Sequence, residues 1–339
     1  MKAVVVRDKR LLVADVPVPE PGPGEVLVRT LACGICGSDL HALKHADRFF
    51  ENYRRPDGTR IADLARDIVM GHEFCAEIVD HGPRTERRLP PGTRVCSVPV
   101  LQRPEGRQAI GYSNDHPGGY AEYMRLTETL LLEVPNGLAT EQAALTESMA
   151  VGLHAVNKAR LQVGDKALVV GCGPVGLAVI AALRLRGVRP IVAADFSPRR
   201  RELAVTLGAD ESIEPSPAIP PARWRDATVV FECVGVPGVI DEIMAGAPRG
   251  ARVVIVGVCM EPDTIHPLRG ISKELSLQFA LGYDGDEFAA TLHHVAEGTI
   301  PTRPLITGKV GLDGVAGAFA ELASPERHAK ILVEPWRER

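Results

Sequence analysis

The sequence predicts an α/β chain in two parts, a β-rich region followed by a doubly wound parallel sheet. Three observations carry this. Short β-type runs separated by proline–glycine turns fill the first 150 residues. From about Glu141 apolar strands and helices alternate. A glycine-rich turn, Gly171-Cys172-Gly173-Pro174-Val175-Gly176, joins one such strand to a helix. At 339 residues the chain has room for two domains of ~150 residues each.

In chain order, strands are expected over 3–6, 25–31, 75–79, 94–98 and 130–134. Turn chemistry such as Pro21-Gly22-Pro23-Gly24 and Pro91-Gly92 separates them. A helical stretch over 141–160 leads to Gly164-Asp165. The alternation then runs as strand 167–170, helix 175–186, strand 190–194, helix 198–207 ended by Gly208, strand 229–233, helix 239–245 and strand 252–258. Apolar, β-branched strands between helices imply a parallel sheet covered on both faces. Ile331-Leu332-Val333 reads as a last strand that returns to the first domain.

The bulk properties exclude several functions. A net charge of -4 gives no general attraction to nucleic acid or to anionic membrane, and 4% aromatics argue against base-stacking platforms. The uncharged stretch 167–183 approaches the length of a membrane helix, but Gly171, Gly173 and Pro174 interrupt it. The first residues, Met1-Lys2-Ala3-Val4-Val5-Val6-Arg7, are charged too soon for a signal peptide. Seven cysteines, an odd count, favour reduced thiols and a cytoplasmic location over a disulfide framework.

The turn at 171–176 has the context a dinucleotide site requires, an apolar strand before it and a helix after it. Gly171 permits the tight turn, Gly173 lets backbone approach a pyrophosphate, and Gly176 allows close helix–strand packing. The helix N-terminus offers free N–H groups and roughly half a positive charge. Asp195 ends the next strand, 19 residues after Gly176, where an acid binds both ribose hydroxyls and repels a 2′-phosphate. NAD is therefore expected over NADP, with Arg199, Arg200 and Arg201 as the opposing signal. The plainer readings are a turn without a ligand and Asp195 as a helix N-cap.

A second set of residues has metal-binding chemistry. Cys33-Gly34-Ile35-Cys36-Gly37-Ser38-Asp39-Leu40-His41 is followed by Gly71-His72-Glu73 and later by Glu147. Zinc accepts thiolate, imidazole and carboxylate, and a catalytic site uses three protein ligands. No single pair is specific, and a lone C-x-x-C does not make a structural zinc site. Packing roles for Cys36 and His72 and a helix-surface role for Glu147 are the plainer readings.

CGICGSDLH, GHE, TESMAVGLHAV and GCGPVG, in this order, resemble the zinc-containing medium-chain alcohol dehydrogenases, of the sorbitol and threonine dehydrogenase type. The similarity runs over essentially the whole chain, to the KILVEP segment near the end. It implies a GroES-like catalytic domain (1–149 and 283–339) and a Rossmann NAD-binding domain (150–282). It also implies one catalytic zinc, held by Cys36 and His72. Glu73 would be the adjacent acid able to approach the metal. Glu147 would stand at the third ligand position, direct or through water, and Asp39 would orient His72. Ser38 would accept the proton of a substrate alcohol, passing it through the cofactor ribose to His41, while hydride moves to the nicotinamide. Val256-Gly257-Val258 would hold that ring, Cys233-Val234 would lie near the ribose, and Arg200 beside the adenosine ribose. A homodimer or homotetramer is implied as well. One departure stands out: the stretch from Cys96 to Gly119 has a single cysteine, so the four-cysteine structural zinc lobe of many relatives is expected to be remodelled.

Two other readings compete. A zinc-free quinone or enone reductase would lack the ligand set, and a non-catalytic dinucleotide-binding regulator would not need Ser38, Asp39 and His41 beside it. The substrate itself is not legible. Phe49, Phe50, Tyr53, Tyr112, Tyr120 and Met149 are the candidates for a pocket wall.

Overall fold

Two short apolar runs joined by a tight turn at Asp8 and Lys9, both with positive φ, form a hairpin, β1 (Lys2–Arg7) with β2 (Arg10–Asp15), before the long strand β3 (Glu25–Gly34). The structure, a computed structural model, describes residues 1–52, 61–215, 226–324 and 326–337. After β3 come α1 (Gly37–Lys44), α2 (Ala46–Asn52), β4 (Ile68–Val69), β5 (Glu73–His81), β6 (Arg94–Ser97), β7 (Val100–Arg103), β8 (Gly106–Ala109), β9 (Tyr123–Thr127) and β10 (Leu131–Glu133). The expected helix over 141–160 is two helices, α3 (Thr140–Ala143) and α4 (Thr146–Lys158).

The strand–helix alternation follows as β11 (Ala167–Val170), α5 (Pro174–Leu185), β12 (Ile191–Ala194), α6 (Pro198–Thr206), β13 (Glu211–Ile213), β14 (Val229–Glu232), α7 (Val239–Gly246), β15 (Arg252–Ile255), α8 (Pro267–Lys273), β16 (Ser276–Phe279) and α9 (Gly285–Ala296). The chain ends with β17 (Ile306–Val310), α10 (Val315–Leu322) and β18 (Lys330–Val333).

Two compact units result. The first comprises Met1–Glu147, Ile306–Ser324 and Lys330–Arg339; the second comprises Ser148–Leu305 and Pro325–Ala329. The second unit thus runs past the expected boundary at 282. The reason lies in α9, where Glu287 accepts from His154 Nδ1 at 2.6 Å and Asn157 Nδ2 at 2.8 Å, tying that helix to α4.

In the first unit the main sheet of the described residues has the order β10-β6-β5-β3-β18-β17, with β9 also on β3. Pairing of β18 with β3 is antiparallel, Leu332 opposite Gly34 and Val333 opposite Cys33, so the terminal strand does return to the first part of the chain. In the second unit the strands run parallel in the order β13-β12-β11-β14-β15-β16. The order reverses between β11 and β14, the switch point where such sheets bind ligands beyond their strand ends. Leu168, Val170, Val192, Val230, Val253 and Ile255 form part of the core on this sheet. No described helix is long and apolar enough to cross a membrane; the uncharged stretch 167–183 is the strand β11, the glycine turn and most of α5.

Candidate active site

Strand pairing brings the two ligand-bearing segments of the first unit together. β3 ends at Gly34, the chain turns through Ile35 and Cys36, and α1 begins. On the neighbouring strand β5, Glu73 pairs opposite Gly34 and Phe74 opposite Cys33, which places His72 and Glu73 beside Cys36. The thiol, an imidazole nitrogen and a carboxylate oxygen of Cys36, His72 and Glu73 all lie within 4.8 Å of one another. Sulfur, nitrogen and carboxylate donors at that spacing fit a zinc ion. Among the described residues this is the one group of three such donors; Glu147 is outside it, buried in the first turn of α4.

Asp39 organises the site from behind. It is fully buried, and its Oδ2 accepts the Cys36 N–H at 3.0 Å and the Tyr120 hydroxyl at 2.7 Å. Its Oδ1 accepts the Tyr112 hydroxyl at 2.8 Å and lies 3.4 Å from His72 Nδ1, long for a hydrogen bond but close for an ionic contact. Burial opposes the Asp39 carboxylate, yet His72 and the donors outweigh it and hold its pKa below the usual value. For His72 the balance is similar: burial lowers its pKa, Asp39 outweighs burial, and the imidazole is made more basic. Ser38 Oγ stands 3.5 Å from His72 Nε2. His41, one turn further along α1, is half-buried, and burial, then His45 and Lys44, lower its pKa.

The second acid, Glu73, is held by a partner that the sequence reading did not assign. Lys330, at the start of β18, is buried and lies 2.7 Å from both Glu73 oxygens, with Ile35 O at 3.3 Å. Burial works against the ammonium, but Glu73, and more weakly Cys36 and Glu147, raise its pKa. Gly34 is needed for this pair, since a Cβ there would come 2.1 Å from Glu73 Oε2.

In the second unit each glycine of the turn has its own reason. Gly171 has φ +89, and a side chain would meet Val234 and Cys233. A Cβ on Gly176 would come 1.9 Å from Gly171 O, so helix and strand could not close. At Gly173 the space is open, the nearest atom being Arg200 Nη1 at 3.9 Å. Gly173 is the N-cap of α5 and Pro174 its first residue, and no side chain caps the first turn, an arrangement that leaves helix N–H groups to an anionic ligand such as a pyrophosphate.

Asp195 accepts the Cys172 N–H at 2.7 Å and the Ser197 N–H at 2.8 Å, which ties the end of β12 to the glycine turn. It is not the helix cap: Ser197 caps α6 through the Arg200 N–H. Arg201 donates to the main-chain oxygens of Asp195 and Phe196, whereas Arg200 Nη1 stands 3.9 Å from Asp195 Oδ2 and keeps a buried Nε without a partner. That orphaned donor beside the turn fits the phosphates or ribose of a dinucleotide. Cys172 is buried, and burial, then Asp195, push its thiol up to about 12, leaving it a packing residue.

Beyond β14 and β15, Glu232 staples the two loops expected at the nicotinamide end. Its Oε1 accepts from Val234 N at 2.6 Å and Gly235 N at 2.8 Å, and its main-chain oxygen accepts from Val256 N and Gly257 N. Val234 and Val258 are exposed there, Cys233 is half-buried and Val256 buried. Glu232 was not singled out by sequence; a buried acid at a strand end was the available signal.

The wall candidates fare differently. Phe49 and Phe50 are buried on α2, with the Phe49 ring 5.0 Å from that of Tyr112. Tyr120 is fully buried with its hydroxyl on Asp39, and Met149 is 1% exposed, so both are core residues. Tyr53 lies outside the described residues. The stretch expected to be remodelled contains the β7–β8 hairpin, pinned by Arg103 on Glu25 and by His116, which contacts Gln108 and accepts from Arg125 at 3.1 Å.

Comparison with known proteins matches both units. The family model described as "Alcohol dehydrogenase GroES-like domain" matches residues 22–136, and "Zinc-binding dehydrogenase" matches residues 174–297. The (R,R)-butanediol dehydrogenase of Bacillus subtilis is 34% identical over 344 residues, covering 96% of this chain and 97% of the relative. Sorbitol dehydrogenase of Bos taurus is 28% identical, with 91% and 89% covered. The X-ray structure of 2R,3R-butanediol dehydrogenase from Bacillus subtilis superposes with a TM-score of 0.85 at 32% identity, over 98% of this chain and 99% of that one.

Proposed function

The chain belongs to the zinc-containing medium-chain alcohol dehydrogenases, and from that premise we propose that its substrate is a secondary alcohol with a neighbouring hydroxyl, a vicinal diol or polyol. As a member it is an oxidoreductase that uses zinc and a nicotinamide dinucleotide to interconvert an alcohol and a carbonyl compound. The butanediol and sorbitol dehydrogenases it resembles support the diol reading. The observation that carries the mechanism is the Cys36–His72–Glu73 group with Ser38 beside it.

Cys36 and His72 hold the metal in this reading. Glu147 stands at the third position, directly or through water, while Lys330 holds Glu73 as the adjacent acid able to approach the metal. Bound zinc would supply the Lewis acidity that acidifies a hydroxyl, and a bound dinucleotide would supply the hydride acceptor. Asp39 fixes the orientation of His72 and raises its donor strength. Ser38 takes the alcohol proton, and His41, neutral at pH 7 because burial, His45 and Lys44 lower its pKa, receives it for release to solvent.

The glycine turn, Arg200 and Asp195 bind the dinucleotide, and the Asp195 carboxylate selects NAD over NADP. A cytoplasmic location accords with seven cysteines, all free thiols. The open edge of β16, with Phe279 and Leu281 exposed beside it, is the surface on which a second copy pairs.

Reduction of NAD and NADP by a panel of vicinal diols, polyols and isolated secondary alcohols tests this reading. Fastest turnover with NAD and a vicinal diol is expected. Preference for simple alcohols would overturn the substrate class, and preference for NADP would overturn the role given to Asp195.

A further inference from the structure

Ser38, the proton acceptor in the reading above, is itself held by a residue to which no function has been given. Tyr112 packs its ring 5.2 Å from that of His72, and its hydroxyl lies 2.9 Å from Ser38 Oγ and 2.8 Å from Asp39 Oδ1. A phenol has one proton for these two partners. Asp39 is surrounded by donors: the Cys36 N–H, which can only donate, and the Tyr120 hydroxyl both point at its Oδ2. A carboxylate so placed is an acceptor, and a stronger one than a serine hydroxyl. The Tyr112 proton therefore goes to Asp39. Its oxygen is left to accept the proton of Ser38.

This fixes which way the serine faces. With its own proton directed at Tyr112, Ser38 presents oxygen lone pairs elsewhere, and its Oγ stands 3.5 Å from His72 Nε2. We propose that Tyr112 is a positioning residue for Ser38, accepting the serine proton in a hydrogen bond so that the serine oxygen meets the substrate hydroxyl as an acceptor. Tyr112 keeps its own proton on Asp39 throughout. As Ser38 takes the substrate proton, its own proton leaves the Tyr112 oxygen and moves on toward His41, and the incoming proton re-forms the bond to Tyr112, one proton out for each taken in. The polar atoms form a ring from Ser38 through Tyr112, Asp39 and His72 back to Ser38, so the orientation of the acceptor and of the metal-binding imidazole share one carboxylate.

The inference rests on the role given to Ser38, and the experiment separates the two. Tyr112→Phe, Ser38→Ala and the double variant are compared for kcat and KM with a vicinal diol and NAD, and for zinc content by elemental analysis. Tyr112→Phe is expected to keep its zinc and its KM, lose kcat by about tenfold or more, and add nothing further in the Ser38→Ala background. Full kcat in Tyr112→Phe with a slow Ser38→Ala would overturn the inference alone. Full kcat in Ser38→Ala would remove the proton-acceptor reading and the inference with it. A loss that multiplies with that of Ser38→Ala, or loss of zinc from Tyr112→Phe, would show that Tyr112 acts through Asp39 and His72 and also overturn it.

Discussion

The two candidate sites are built on opposite principles. In the second unit the dinucleotide cradle is a run of six consecutive residues whose chemistry is mostly backbone: the N–H groups at the start of α5, a φ of +89 at Gly171, and a contact at Gly176 that excludes any side chain. In the first unit Cys36 comes from one segment and His72-Glu73 from another, and Asp39, Tyr112, Tyr120 and Lys330 hold the group in a buried polar network. Such a network depends on each member being satisfied. A backbone cradle survives most side-chain changes, whereas a side-chain network fails when one member is removed.

The largest effect should come from the network's donors. His72→Ala removes a nitrogen donor and leaves Asp39 facing a gap. Loss of metal forfeits several kcal/mol of transition-state stabilisation, a ~10³-fold fall in kcat/KM, while NAD affinity measured by fluorescence titration stays near wild type. Equal loss of NAD binding would break the comparison, because it would make the cradle depend on the network.

Next in size is Lys330→Met. It leaves the Glu73 carboxylate buried and unpaired, an expected cost of about 3–5 kcal/mol in chemical denaturation. Adding Glu73→Met should recover most of that loss, since the uncompensated charge goes with it. A single variant as stable as the wild type would show that solvent reaches Glu73.

The smallest effect concerns the β7–β8 hairpin. His116 is held at about 4 by burial, then by Arg103 and Arg125. The fold therefore favours the neutral ring, the unfolded chain binds more protons between about pH 4 and 6.5, and stability falls as pH is lowered through that window. His116→Asn, which can still accept from Arg125, should flatten part of that slope in thermal melts and cost about 1 kcal/mol at pH 7.5. An unchanged slope would show that His116 is not in the network holding the hairpin.

The contrast also explains what could be read without coordinates. The glycine turn and Asp195 are legible because strand, turn and helix impose spacing on neighbouring residues; β11 matches its expected span of 167–170, and α5 and α6 fall within a residue of theirs. Cys36 and His72 are legible as residue types, but their meeting depends on the β3–β5 register, which pairs Gly34 with Glu73. Lys330 sits 257 positions from Glu73, and nothing local marks it as a partner. Tyr112 and Tyr120 read as pocket aromatics because their rings dominate their chemistry in sequence, while in the fold their hydroxyls do the holding. The Cys96–Gly119 stretch was legible only by what it lacked. The β7–β8 hairpin there is polar and short, without a hydrophobic period.

Hydride transfer in the proposed reading requires both a metal-dependent network and a metal-independent cradle. Zinc removal by chelation, followed by parallel measurement of NAD affinity and of NAD reduction with a vicinal diol, tests it most directly. About one zinc per chain before chelation, loss of turnover after it, recovery on adding zinc, and an unchanged Kd for NAD throughout are the predicted results. Turnover that persists in the zinc-free protein, or NAD affinity that vanishes with the metal, would contradict it.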